Sequence, residues 1–367
     1  MNQIIIAVWV ILTIYGAQDL TPSKESAHRS HNSVLFTDSL AYPGESHFAN
    51  IRQLTFGGNN AEAYFSFDGQ HLVFQSDYSK WGLQCDQIFT MPVDQPALTK
   101  PTMISTGKGR TTCSYFLPGD QTIVYASTHL GQEACPETPR MVNGKYVWPI
   151  YDTFDIFTAD LNGNILQQLT DNPGYDAEAT LSPDGQKIVY TSTQSGDLEL
   201  WIMNTDGSEK KQITNDLGYD GGAFFSPDSK RLIFRASRPK TPEAQKMYKD
   251  LLTQGVVQPT EMELFICNTD GSGLKQLTDL GGANWAPFFH PSGEKVIFAS
   301  NHKSASGRGF NLFMIDLNSE DIEQITYDPI FDAFPMFSPD GSKLVFSSNR
   351  NNGGNRDTNI FIADWVD

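Results

Sequence analysis

One short pattern recurs six times along this chain, and it constrains the fold more than any single residue does. Each copy has a Leu-Thr or Ile-Thr pair, a short polar stretch, an aromatic strand that ends in a Ser-Pro-Asp-Gly turn or a variant, and two further apolar strands. The clearest turns occupy residues 181–185 and 337–341. Repetition with a period of roughly fifty residues indicates an array of equal structural units.

The third copy shows what one unit is. Its runs at residues 177–182, 187–191, 199–203 and 211–214 are rich in β-forming residues, and an Asp-Gly pair predicts a tight turn between the last two. Four short antiparallel strands joined in sequence predict one blade of a β-propeller. Six such units use nearly all of the 367 residues as a single ring.

The two ends of the repeat array complete each other. The sixth copy stops at Asp367, after its third strand, and the array begins at residues 51–55, which read as a fourth strand without a blade. Pairing these segments would close the ring and remove an exposed sheet edge. We therefore predict an all-β fold, a six-bladed β-propeller of four-stranded antiparallel blades, in which the strand at about residues 51–56 completes the last blade.

The N-terminal region precedes this array. Residues 4–16 form an apolar run that is short for a membrane span and typical of a signal-peptide core. The expected domains are a signal peptide at 1–17, a linker or strap at 18–50 and the propeller at 51–367, with no membrane span after cleavage. The protein would then be periplasmic or secreted. An uncleaved anchor is the alternative.

Composition limits the partners of the chain. The formal net charge is −17 at pH 7. A strongly acidic surface disfavours nucleic acid and anionic lipid, because both repel it. We expect a monomer whose partner is a protein, a peptide or a glycan.

The repeat resembles that of TolB-like propellers. The resemblance rests on the order Asn-Thr-Asp-Gly-Ser, Gln-Ile-Thr and Phe-Ser-Pro-Asp across residues 204–228, and it extends over residues 51–367. It implies the propeller fold, but similar repeats occur in TolB, in propellers attached to prolyl-oligopeptidase hydrolases and in oligogalacturonate lyases, so it does not choose a function. Residues 19–50 are too few for the α/β domain that precedes the TolB propeller, and a Tol-Pal role is not implied.

Loop lengths distinguish the two faces of the predicted ring. Long insertions at about residues 130–153 in blade two and 239–261 in blade four fall on the same face. Long loops on a rigid scaffold are the usual place for function. The second insertion contains good helix formers after Pro242, which predicts a short helix that acts as a lid or partner-binding element, or only packs across the face.

Polar residues recur at the channel mouth on this insertion-bearing face. The functional interpretation is a ring that binds a ligand; the structural alternative is that each Asp caps its turn and pairs with an Arg or His between blades. We place the approximate equivalents of the ring acids at Asn60 and Thr112. The binding candidates are Asp176, Asp220, Asp332, Asn284, His129, Arg238, His302, Arg350 and Trp148.

Three cysteines lie toward the same face of neighbouring blades. Cys85, Cys113 and Cys135 are candidates for one disulfide that would fix the long blade-two loop, with Cys135 bonded to Cys85 or to Cys113. Cys267 falls within a predicted strand and is expected to be a buried free thiol.

Common catalytic motifs are mostly absent from the sequence. It contains no Gly-x-Ser-x-Gly elbow and no His-Glu-x-x-His motif, and we predict no catalytic residue, no metal ligand and no cofactor. The leading hypothesis is an exported, non-catalytic propeller that binds its ligand at the insertion-bearing face. One alternative is a carbohydrate-active enzyme resembling oligogalacturonate lyase, for which a divalent metal would be expected. The other is a propeller subunit that gates a separate hydrolase.

Overall fold

Six four-stranded antiparallel sheets form the molecule in the computed structural model, which describes residues 40–139 and 141–367. The predicted signal peptide and most of the predicted strap lie outside these residues. The first three blades run from the inner to the outer strand in chain order. Blade one contains β2 (Asn60–Phe65), β3 (His71–Ser76), β4 (Gln87–Pro92) and β5 (Thr102–Met103); blade two contains β6 (Thr111–Phe116), β7 (Thr122–Ser127), β11 (Asp155–Asp160) and β12 (Ile165–Gln168); blade three contains β13 (Asp176–Leu181), β14 (Lys187–Ser192), β15 (Glu199–Asn204) and β16 (Lys211–Gln212).

The last three blades repeat this order. Blade four contains β17 (Asp220–Phe225), β18 (Arg231–Ser237), β20 (Met262–Asn268) and β21 (Lys275–Gln276); blade five contains β22 (Asn284–Phe289), β23 (Lys295–Ser300), β24 (Asn311–Asp316) and β25 (Ile322–Gln324); blade six contains β26 (Asp332–Phe337), β27 (Lys343–Ser348) and β28 (Asn359–Trp365). The insertions carry β8 (Met141–Val142), β9 (Lys145–Tyr146), β10 (Trp148–Pro149), α1 (Pro242–Thr253) and β19 (Val256–Val257), and a 3-10 turn covers Ser79–Trp81.

The N-terminal strand closes the ring, as the sequence predicts. Strand β1 (Phe48–Gln53) pairs antiparallel with β28 and is the outermost strand of blade six. It begins three residues before the predicted position, because Phe48 packs with Phe346 of the blade core and pairs with Trp365. Strand β2 also contacts β26 and β27, so blade one packs against blade six.

The Thr or Ser of the repeated pair ties the outer strands together. In all six blades its hydroxyl accepts a hydrogen bond from a backbone N–H of the third strand at 2.8–2.9 Å. It also donates to a side chain at the start of that strand, as Thr214 does to Glu199 at 2.6 Å. The fourth strand is short, so this clamp satisfies polar groups that a longer ladder would otherwise pair.

The Ser-Pro-Asp-Gly turn is fixed by its own side chains. The Ser182 hydroxyl donates to Asp184 at 2.6 Å and accepts from the Lys187 N–H at 2.9 Å. The turns that begin at Ser66, Ser226 and Ser338 repeat this geometry. A side chain that holds its own backbone is what makes these residues favourable in turns.

Each innermost strand carries a β-bulge after its second residue, where the register shifts. The third residue of every inner strand adopts a positive φ of 41–60°. Only one of the six is glycine, so the other five hold this backbone conformation against its usual cost. A bulge re-aims the side chain it carries, and here six of them surround the central channel. They are Glu62, Cys113, Glu178, Gly222, Ala286 and Phe334.

Candidate functional site

The predicted ring residues of four blades are buried in the structure. Asp176, Asp220, Asn284 and Asp332 are each 0% exposed. They are the first residues of their inner strands, where each lies opposite the end of the second strand and beneath the loop that follows. The register also shows that Thr111, not Thr112, is the blade-two equivalent, because Thr111 pairs with Ser127 as Asp176 pairs with Ser192.

Two of these acids form ion pairs within their own blades, where the structural alternative had placed such pairs between blades. The two terminal guanidinium nitrogens of Arg238 donate to the two carboxylate oxygens of Asp220. The Arg238 guanidinium also lies 4.9 Å from the centre of the Phe265 ring. Arg350 donates to Asp332 at 3.0 Å and to Glu45 at 3.1 Å. Burial raises the pKa of Asp220 and Asp332, and the arginines oppose that shift.

Asn284 is held by its own blade and by blade four, and the two candidate histidines are held by their own blades. Asn284 accepts from the Ser300 hydroxyl at 2.6 Å and donates to the Met262 carbonyl at 2.9 Å. His129 and His302 occupy equivalent positions, each with its ring 4.5 Å from a third-strand phenylalanine. Burial lowers the pKa of both imidazoles. They belong to blades two and five, and no group of three or more His, Cys, Asp or Glu side chains within residues 40–139 and 141–367 is arranged to hold a metal ion.

The two insertions meet each other, which the sequence did not indicate. Strand β10 pairs with β19, and the Ile150 N–H donates to the Gly255 carbonyl at 2.7 Å. Val147, Leu251 and Val256 bury a small apolar core between them. The hydroxyl of Tyr248 on α1 also bonds Asp197 of blade three. The insertions of blades two and four therefore form one cap that lies against the blade between them.

A disulfide fixes the blade-two half of this cap. Cys85 and Cys135 are bonded, with a Cα–Cα distance of 6.0 Å. Cys113 and Cys267 are free and buried. Burial raises the pKa of both free thiols, so they are protonated at neutral pH and do not have the thiolate form that reacts as a nucleophile.

A cleft of about 540 Å³ opens between the cap and blade three. Aromatic, small and carboxylate side chains contribute to its walls, and the C-terminal end of α1 forms one rim. The residues that define this cap cleft include Tyr151, Asp152, Tyr175, Thr193, Thr253 and Val256.

Trp148 joins the cap to the channel. Its ring lies 5.1 Å from that of Trp285, and the Arg235 guanidinium lies 5.2 Å from the Trp148 ring centre. Arg235 is 8% exposed and forms an ion pair with Glu178. The cation–π and ion-pair contacts place a buried positive charge directly below the cap.

A polar cluster around Arg235 fills the channel centre, and sequence reasoning missed it. The Tyr219 hydroxyl donates to Glu178 at 2.6 Å, and the Gly222 N–H donates to the same carboxylate at 2.9 Å. Burial raises the pKa of Glu62 to about 7. The sequence does contain a signal for this cluster. The third residue of the inner strand is a glutamate in blades one and three, Glu62 and Glu178.

The opposite end of the channel is apolar. A cavity of about 310 Å³ is lined there mainly by phenylalanines and by the prolines of the Ser-Pro-Asp-Gly turns. This surface, the apolar funnel, includes Phe67, Phe224, Phe288 and Pro339. The long insertions and the polar residues therefore lie at one end of the ring and the short repeated turns at the other.

No described helix is long and apolar enough to cross a membrane. This finding applies to residues 40–139 and 141–367.

Comparison with known proteins agrees with the repeat pattern. Residues 256–357 match the TolB beta propeller domain. A solved structure described as TolB from Agrobacterium tumefaciens is 18% identical with a TM-score of 0.55, and the match covers 84% of this chain and 91% of that one. TolB from Acinetobacter baumannii is also 18% identical, with a TM-score of 0.52. That match covers 84% of this chain and 63% of the Acinetobacter protein, so this chain spans less than two thirds of that protein's length. No curated protein matches significantly.

An oligogalacturonate lyase from Vibrio parahaemolyticus is 10% identical, with a TM-score of 0.49 over 86% of this chain and 93% of that one. Likeness at this level carries no argument about activity. The sequence match and the two TolB structures agree on the propeller fold. The repeat over residues 256–357 is therefore similar to that of the TolB beta propeller domain, and the described chain has a TolB-like propeller fold.

Proposed function

We propose that this chain is an exported, non-catalytic propeller that binds a protein, peptide or glycan at its insertion-bearing face. The observation that carries the proposal is the cap cleft, a volume of about 540 Å³ that exists because two insertions pair over blade three. Ligand sites on proteins are typically concave and of this size, with a few polar groups among apolar walls. A periplasmic or secreted location follows from the N-terminal apolar run.

The chemistry of the described residues favours binding over catalysis. The two free thiols are protonated at neutral pH, and the two candidate imidazoles are stacked on phenylalanines of separate blades. A nucleophile needs a base within hydrogen-bond reach, and neither histidine is beside a thiol here. The lyase alternative would need a basic, metal-holding site, whereas Arg238 and Arg350 are both paired with acids.

The test fills the cap cleft without disturbing the blades. Thr253→Trp places an indole at the exposed C-terminal end of α1, on the rim of the cleft. Lys249→Trp is the matched control, because it adds the same side chain one turn earlier at an exposed site that does not line the cleft. Both variants would be used as bait on envelope proteins and on a panel of oligosaccharides.

We expect the wild type and Lys249→Trp to retain one ligand that Thr253→Trp loses at least tenfold. Equal retention by all three proteins would show that the cleft is not the binding site. Turnover of an oligosaccharide by the wild type would refute the non-catalytic assignment and favour the enzyme alternative.

A further inference from the structure

The side chains that line the cap cleft carry one formal charge, and that charge is negative. Asp152 is the only Asp, Glu, Lys, Arg or His among the described residues of the lining. It follows β10 in the blade-two half of the cap and is exposed. Its carboxylate has no hydrogen-bond or ion-pair partner within residues 40–139 and 141–367. The cleft therefore presents a carboxylate that no cation of the described chain neutralises.

Most hydrogen-bond donors of the lining are already engaged within the protein. The Tyr151 hydroxyl donates to the Glu137 carbonyl at 2.7 Å. Thr253 and Gln254 donate from their side chains to carbonyls in the last turns of α1, at 2.9 and 2.8 Å. Backbone N–H groups of the lining are bonded within the chain at Ile150, Tyr175, Gly196, Gln254 and Gly255. The groups left for a ligand are mainly acceptors: a carboxylate, an amide oxygen and hydroxyl lone pairs.

The C-terminal end of α1 adds to the negative potential of the cleft. Thr253 is the last residue of this 12-residue helix, and it lines the cleft together with Leu252 and Gln254. The last turn of the helix contains no basic residue. Aligned peptide dipoles leave a partial negative charge at a helix C-terminus, where cations bind favourably. The Asp152 carboxylate and the helix end therefore act with the same sign in one cleft.

We propose that the cap cleft binds a cationic side chain of a peptide or protein ligand, with arginine as the preferred residue. The proposal rests on the proposed binding function and names the chemistry of its ligand. A guanidinium has five N–H donors, no acceptor and a permanent positive charge, which complements a cleft of acceptors and negative charge. Tyr151 and Tyr175 line the same cleft, and a planar guanidinium packs on aromatic rings better than a compact ammonium group does.

The same chemistry disfavours other classes of ligand. A carboxylated sugar or a phosphate would bring negative charge to Asp152 and would find few free donors in the lining. A divalent cation needs several oxygen or nitrogen ligands, and no group of three or more His, Cys, Asp or Glu side chains among the described residues is arranged to hold one. Among protein, peptide and glycan ligands, a basic peptide segment therefore matches the cleft best.

The experiment varies the charge of the ligand and of the cleft separately. The probe is N-acetyl-Ala-Arg-Ala-amide, and its controls replace arginine by citrulline, an uncharged isostere, or by glutamate. Binding is read from the backbone amide resonances of Gly174 and Gly255, which line the cleft, in isotope-labelled protein. Asp152→Asn removes the carboxylate charge and Asp152→Lys reverses it. Asp94→Asn is the matched control, because it makes the same change at an exposed position after β4 of blade one.

We expect a saturable shift with the arginine peptide and no shift with the glutamate peptide. The citrulline peptide should bind about tenfold more weakly, because it loses the attraction of both the carboxylate and the helix end. Asp152→Asn should weaken binding of the arginine peptide about fivefold, since it removes only the carboxylate. Asp152→Lys should prefer the glutamate peptide, and Asp94→Asn should behave as wild type.

Three results would overturn the proposal: a wild type that responds to none of the peptides, equal binding of the arginine and citrulline peptides, or an Asp152→Asn variant that binds as wild type does. An equal shift with calcium chloride alone would also overturn it. Ligand capture judges the proposed function separately. If Thr253→Trp loses the captured ligand while Asp152→Asn retains it in full, binding at the cleft stands and only the cationic chemistry is rejected. If Thr253→Trp retains the ligand, the cleft itself is rejected as the binding site.

Discussion

Replacing Asp176 by Asn should stabilise the protein at neutral pH. The fold accepts the change, because Asn60 and Asn284 occupy the same ring position in blades one and five. In the native state the Asp176 pKa is raised by burial to about 6, against about 3.9 in an unfolded chain. Above pH 6 both states have lost the proton, and ionising the buried group costs the native state about 2 pKa units, or about 3 kcal/mol.

The sign of the pH dependence follows from where the proton is held. Between about pH 4 and pH 6 the folded state still binds a proton that the unfolded state has released, so wild-type stability falls as pH rises through this window. Asp176→Asn does not titrate. Its advantage over wild type should therefore be near zero at pH 4, grow to about 3 kcal/mol by pH 7 and then stay constant.

Urea unfolding followed by circular dichroism at pH 4, 5, 6 and 7 measures this difference. Arg238→Gln is the matched control of opposite sign: it leaves Asp220 buried without the cation that opposes its raised pKa, and should destabilise by about 3 kcal/mol at pH 7. A variant of Asp176 that is no more stable than wild type at pH 7, or whose advantage does not depend on pH, would refute the reasoning.

Two further stability effects follow from the repeat and the cap. Replacing Cys85 and Cys135 together by Ser opens a loop with a sequence separation of 50 and should cost about 4 kcal/mol on the chain-entropy relation, measured by urea unfolding; an unchanged midpoint would contradict it. Thr214→Val removes a hydroxyl that both accepts from the Leu200 N–H and donates to Glu199, and should cost about 1–3 kcal/mol in thermal unfolding, whereas Thr214→Ser should cost less. A larger loss in Thr214→Ser than in Thr214→Val would show that the methyl group, not the hydroxyl, carries the effect.

The repeated residues made the fold predictable because each performs a local task. The hydroxyls of Thr214 and Ser182 bind backbone groups of their own blade, so their spacing reports strand and turn positions directly. Ring closure was predictable for a related reason. The repeat array begins with a fourth strand that has no blade, and it ends with a blade that has no fourth strand. These two segments can pair with each other, and in the structure β1 pairs with β28.

The cap and the channel cluster were not predictable, because they depend on tertiary contacts without a sequence period. Strands β10 and β19 pair over two residues each, although more than one hundred residues separate them in the chain. Glu178 and Arg235 meet because the bulge turns the Glu178 side chain toward the channel and because Trp148 covers Arg235. The burial of the ring residues was not predictable either, since the sequence does not show that the loops after the second strands cover them.

The most direct test of the account is a hydrogen-exchange footprint of the protein with its captured ligand. Amide exchange would be compared with and without ligand for peptides spanning the cap cleft, at residues 148–153 and 252–256, and for peptides spanning the apolar funnel, at residues 65–67 and 288–291. The account predicts slower exchange at the cap cleft and no change at the funnel. Slower exchange at the funnel with an unchanged cleft would place the ligand on the opposite face and contradict the central claim.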